Sequence, residues 1–115
     1  MKYQGHCHCG SIAYEIETEM QAATECNCSI CASRGYLLWF VAGDKFHLKT
    51  PEKDMAYYTF NTHHIKHYFC PKCGGATFGM AADKAGKPVV AVNLRALEGV
   101  DLAAVERKPF DGKRL

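Results

Sequence analysis

Between Ser11 and Thr18 apolar and polar positions alternate. Ile12, Tyr14 and Ile16 fall on one side, Glu15 and Glu17 on the other. A period of two predicts a half-buried strand. The run YLLWFVAG, residues 36–43, is apolar throughout and predicts a buried strand ended by Gly43 and Asp44. KFHLKT, residues 45–50, alternates again and predicts a strand stopped by Pro51. MAYYTFN, residues 55–61, is rich in the ring-bearing and β-branched residues that suit a pleated surface. ATFGMAA (76–82) and KPVVAVNL (87–94) predict two more strands, joined by a turn in DKAGK. Only DLAAVE, residues 101–106, reads as helix, a short one with Asp101 as its N-cap.

Many short strands, frequent turns and almost no helix predict an all-β chain. Its length of 115 residues suits one domain spanning 1–115. Strands do not alternate with helices, which argues against a dinucleotide-binding fold. No internal repeat or low-complexity tract interrupts the pattern. The opening MKYQGHCHCG lacks the apolar stretch of a signal peptide. The longest apolar run is far short of the roughly 20 residues that a membrane span needs. These features predict a cytoplasmic protein with reduced thiols and no membrane partner.

Seven cysteines change the picture. They fall into three clusters: Cys7 and Cys9 as C-x-C, Cys26, Cys28 and Cys31 as C-x-C-x-x-C, and Cys70 and Cys73 as C-x-x-C. An odd number cannot all be paired as disulfides. Zinc takes four protein ligands in a structural site, and three plus an open position in a catalytic one. Seven divides into four and three. Two-thiol clusters commonly combine, so Cys7, Cys9, Cys70 and Cys73 are the expected ligands of a closed Zn2+ site. Gly74 and Gly75 would let the backbone fold close to that metal. Cys26, Cys28 and Cys31 are then expected to hold a second Zn2+ with one position open. Seven thiolates holding two divalent ions would move the formal charge of +2 to −1. That argues against general electrostatic binding to nucleic acid.

A metal held by three thiolates is a moderated Lewis acid and prefers a soft fourth ligand, such as an incoming thiol kept deprotonated. Thiol addition to a small aldehyde, and its reversal, is the natural reaction; a zinc-activated water is the competing one. Two blander readings of the trio stand beside these. One is a second structural site completed by a histidine, with His63, His64 and His67 as nearby candidates. The other is a redox-active thiol group.

Ser29 and Arg34 adjoin the trio and are candidate substrate contacts, Arg34 for a carboxylate. His6 and His8 flank the first cluster and could orient it. Trp39 and Phe40 are expected in the core. Asn93 ends a strand and could offer its amide to a pocket.

The segments CHCGSIAYE, CNCSICASRG, YTFNTHHIKHYFCPKCGGATFG, VNLRALEGVDL and PFDGK together resemble the glutathione-dependent formaldehyde-activating enzyme family, which also includes centromere protein V. The resemblance covers most of the chain in the family's order. It implies a zinc-stabilised β-tent fold and the same division of the cysteines. It also implies condensation of glutathione, as the small-molecule thiol partner, with formaldehyde to S-hydroxymethylglutathione, a carbon–sulfur lyase reaction run in reverse. Cys26, Cys28 and Cys31 would then be the catalytic set. The rival expectation is a non-catalytic zinc module that binds a protein or a small thiol.

Overall fold

A computed structural model describes residues 2–20, 22–60 and 63–110. Its strands form two sheets. The smaller sheet is antiparallel and orders β1 (Lys2–His6), β2 (Ala13–Glu17) and β5 (Phe46–Leu48) side by side. The larger sheet runs, edge to edge, from β10 (Arg107–Phe110) through β3 (Ala23–Cys26), β4 (Leu38–Ala42), β9 (Pro88–Asn93), β8 (Ala76–Ala82) and β7 (Lys66–Phe69) to β6 (Ala56–Tyr58). All its pairings are antiparallel except β10 on β3. A single α-helix among the described residues, α1 (Ser29–Arg34), joins β3 to β4. A radius of gyration of 13.3 Å is what one domain of this length takes up.

Side-chain alternation decides where the core lies. Tyr14 and Ile16 of β2 and Phe46 of β5 face Trp39 and Val41 of β4, Val90 and Val92 of β9, and Phe78 of β8. Phe78, Val92 and Trp39 form one lateral row across three strands. Phe78 packs on Phe46 with centroids 4.8 Å apart and on Tyr68 at 5.2 Å. Each such buried side chain contributes roughly 1.5–3 kcal/mol by leaving water. The two sheets lean together across this core, which is the expected tent-like all-β arrangement.

The next row on the opposite face runs His67, Gly79, Ala91 and Phe40. This corrects the reading of residues 36–43 as wholly buried. Trp39 is 2% exposed, but Phe40 is 53% exposed, because β4 has one face on the core and the other on open space.

The predicted strands are present, the one over 76–82 with the same bounds and the others with shorter ends. The one read over 55–61 is ordered as Ala56–Tyr58, and Asn61 lies outside the described residues. Residues 111–115 of the expected domain also lie outside them. The helix expected at 101–106 is absent. The Asp101 carboxylate does accept a hydrogen bond from the Ala103 amide at 3.1 Å, and Ala104 N–H donates to Asp101 O at 3.0 Å. One turn forms and stops, since Glu106 O already accepts from Ala23 N–H at 2.8 Å where β10 meets β3. Six residues gain too little from helix propagation to offset nucleation.

Candidate metal centres and the adjoining cavity

Two hairpin turns face each other. Cys7 and Cys9 lie in the turn between β1 and β2, and Cys70 and Cys73 in the turn between β7 and β8. The turns share a pattern of backbone amides aimed at sulfur. Ile12 N–H donates to Cys7 Sγ at 3.2 Å; Lys72 and Cys73 N–H donate to Cys70 Sγ at 3.4 and 3.5 Å. A register shift between Tyr68 and Phe69 bends β7 just before Cys70. The turns approach so closely at Gly75 that a Cβ there would sit 3.2 Å from Cys7 Cβ and 3.4 Å from Cys73 Sγ.

The four sulfurs lie within 4.8 Å of one another, with Cys9 Sγ 3.7 Å from Cys7 Sγ and 3.6 Å from Cys70 Sγ. Tetrahedral zinc with bonds of about 2.3 Å sets its sulfurs about 3.8 Å apart. Spacing, softness and the amide donors all suit a metal thiolate, so this set fits zinc. Burial pushes the Cys7 thiol up to about 11, and the Ser11 hydroxyl and amide draw Cys9 down. His6 reinforces this end: its Nδ1 lies 2.7 Å from Cys7 O and its Nε2 3.0 Å from Glu98. The Cys7 carbonyl, foremost, raises the His6 pKa. His8 is exposed.

The second set sits where β3 runs into α1. Cys26 ends the strand, Cys28 is the residue before the helix, and Cys31 lies in its first turn. This geometry brings the three sulfurs within 4.8 Å of one another. Cys28 N–H points to Cys26 Sγ at 3.5 Å. Burial holds Cys31 well above the usual thiol range. Burial also opposes ionisation of Cys28, but the Cys31 amide and neighbouring thiols outweigh it, and Cys28 is lowered. All seven cysteines are free thiols. A three-sulfur set likewise fits zinc, with room for one further ligand.

The two sets differ in what surrounds them. Cys26, Cys28 and Cys31 open onto a cavity of about 510 Å³, whereas none of the other four cysteines lines it. Its floor is the Gly79–Ala91 row, and its walls include the rings of Tyr36, Phe40, Phe60, His64, His67 and Phe110. The His67 ring lies near parallel to those of Phe60 and Tyr36, with centroids 5.5 and 6.5 Å away. Burial first, and then the charge of Arg34, hold His67 below the usual histidine range. Its imidazole is therefore neutral at pH 7.

The family model for glutathione-dependent formaldehyde-activating enzyme matches residues 2–109. The chain belongs to this family. A crystal structure of a Rhodobacter sphaeroides protein is similar to it at 30% identity, with a TM-score of 0.75, over 91% of this chain and 99% of that one.

The remaining sequence candidates divide. Ser29 lines both the large cavity and a neighbouring one of about 280 Å³. Arg34 lines the smaller one, donates to the Tyr36 hydroxyl at 3.1 Å and lies over the Phe69 ring at 5.4 Å. His64 and His67 line the large cavity, but His63 instead sits 2.9 Å from the Thr59 hydroxyl. Asn93 does not line it. Its amide donates to Ala76 O at 2.9 Å and accepts from Arg95 N–H at 3.2 Å, so both ends serve the framework. Phe40, expected in the core, is a cavity wall. The cavity role of His67 follows from β7, which sets His67 on the face opposite Tyr68, and the sequence did not show that strand. No helix among the described residues is long and apolar enough to cross a membrane.

Proposed function

We propose that the protein is a zinc enzyme that joins a thiol to an aldehyde and reverses the same step. The family-implied pair is glutathione and formaldehyde, which give S-hydroxymethylglutathione, so the enzyme belongs to the carbon–sulfur lyase class. The observation that carries this reading is the contrast between the thiol sets: three open onto a cavity and four do not. Cys7, Cys9, Cys70 and Cys73 would hold a structural zinc. Cys26, Cys28 and Cys31 would hold the second zinc and leave a position for the substrate sulfur.

A zinc ion in the second set would keep an incoming thiol deprotonated at neutral pH. The chain's own residues do the rest. Arg34 and Ser29 bind the thiol's carboxylate and fix its approach. The rings of Tyr36, Phe40 and Phe60 exclude water from the reacting carbon. The neutral imidazole of His67 takes the thiol proton on a ring nitrogen and returns it to the oxygen that was the carbonyl. The proton balance closes, because the thiol hydrogen becomes the hydroxyl hydrogen of the adduct.

Steady-state kinetics with glutathione and formaldehyde test the proposal. A rate above the spontaneous addition, lost in Cys28→Ser, is expected. A rate no higher than the background at full zinc loading would favour the non-catalytic zinc module instead.

A further inference from the structure

The large cavity is bigger and less polar than the family's named reactants need. A hydroxymethyl group brings one carbon and one oxygen to it, while a cavity of about 150 Å³ already admits benzene. Its volume is about 510 Å³, and no Asp, Glu, Lys or Arg among the described residues lines it. Glutathione carries two carboxylates and an ammonium, and burying these without partners is costly. Among the described residues, the guanidinium within reach is that of Arg34, in the smaller cavity that shares Ser29, Ile30 and Phe60 with the large one. The charged end of a thiol therefore belongs beside Arg34. That leaves the large cavity to the other substituent on sulfur.

The shape of that space is specific. Gly79 and Ala91 pair directly on β8 and β9, so the floor carries nothing larger than a methyl group. His67 and Phe40 stand at the two ends of the same row. Phe60 and Tyr36 lie nearly parallel to His67, with interplanar angles of 28° and 18°. A flat bed between rings receives another ring well, since aromatic pairs attract at centroid separations of about 4.5–7 Å.

We infer that the cavity receives an aromatic ring carried on the carbon of the adduct, so that the preferred aldehyde is an aryl aldehyde rather than formaldehyde. This rests on the thiol–aldehyde reading above. The step is a simple addition. The sulfur–carbon bond forms, the carbonyl π pair moves to oxygen, and the thiol proton ends on that oxygen. Nothing is oxidised or reduced.

Calorimetric titration of the zinc-loaded protein with two unreactive thioethers, S-benzylglutathione and S-methylglutathione, tests this directly. The benzyl compound is expected to bind at least tenfold more tightly. Ala91→Leu, which raises the floor, should bring the two affinities within about twofold. Gly79→Ala provides a milder filling in case the leucine variant misfolds. Its new methyl would meet Ile65 Cγ2 at 3.5 Å and His67 Nδ1 at 3.6 Å, both ordinary contacts, and it should cut the benzyl advantage at least twofold. Equal affinities in the unmodified protein, or a benzyl preference unmoved by both variants, would overturn the inference and leave the thiol–aldehyde reading intact. Binding of neither compound, together with no catalysed addition to any aldehyde, would overturn both.

Discussion

Tyr14 sits at the centre of the core, its ring 5.0 Å from Phe46 and 5.3 Å from Phe78. Its hydroxyl is buried with no hydrogen-bond partner among the described residues, and burial holds its ionisation well above the usual tyrosine range. Removing an unsatisfied buried hydroxyl is neutral or favourable. Tyr14→Phe should therefore leave stability unchanged or raise it by up to about 1 kcal/mol. Denaturant unfolding followed by the fluorescence of Trp39, the one tryptophan, would measure this. A loss of more than that would show that the hydroxyl serves something else.

His67 is the residue on which pH should act. Its folded pKa is below 6.5, through burial and the charge of Arg34, so the fold favours the neutral ring. The stability this group supports is present above pH 6.5 and is lost as pH falls through its lower folded value. Activity should follow the same direction: flat from pH 8 to 7, then falling below pH 6.5. His67→Gln should lower kcat at least tenfold and remove that component of the acid limb, as a pH–rate profile of both proteins would show. The same acid limb in the variant would exclude His67. At this scale the partition of the cysteines was legible from spacing alone. The places of Phe40, His67 and Asn93 were not, because each depends on which face of a strand meets the cavity and which meets the core.

Among elements, α1 depends most on its surroundings. It has six residues, no side chain caps its N-terminus, and it ends at Gly35 with φ of +67°. Tyr36 N–H donates to Cys31 O at 3.1 Å, and Arg95 Nε to Gly35 O at 2.9 Å, which fastens the helix end to the turn after β9. An alanine at a left-handed position costs about 1–2 kcal/mol. Gly35→Ala should lower unfolding stability by that amount and loosen metal in the three-thiol set, while the four-thiol set keeps its ion. Zinc titration against a chelator would separate the two sets. Uniform weakening of both would contradict the separation. The turn at Asp101 differs from a helix in what it is worth. Asp101→Ala should cost less than about 0.5 kcal/mol, below the roughly 1 kcal/mol typical of a true helix cap.

The local pattern of the sequence revealed β2, β4, β5, β6, β8 and β9. It gave no sign of β1, β3, β7 and β10. What makes β3 and β10 strands is pairing across the chain, with Arg107 beside Ala23 and Phe110 beside Cys26, while β1 and β7 are strands by pairing with β2 and β8. β3 and β10 lie 84 residues apart, so neither could show its partner in a local pattern.

Over the whole molecule, the cysteines tie the architecture together in two unequal ways. The four-thiol set joins the β1–β2 hairpin of the small sheet to the β7–β8 hairpin of the large one. A metal there clamps the two sheets at one end of their shared core, and a structural zinc of this kind is worth about 10–16 kcal/mol in small peptides. The three-thiol set lies on the opposite face of the large sheet, over the cavity, and its loss should spare the clamp. The most direct test is the zinc content of the native protein and of two variants, read by native mass spectrometry beside their unfolding transitions. The expected result is two zinc ions per chain in the native protein, and one in Cys28→Ser with cooperative unfolding retained. Cys70→Ser should have no cooperative transition. A Cys28→Ser protein that keeps both ions, or that loses both together with its fold, would contradict the division of the seven thiols into a clamp and a reactive centre.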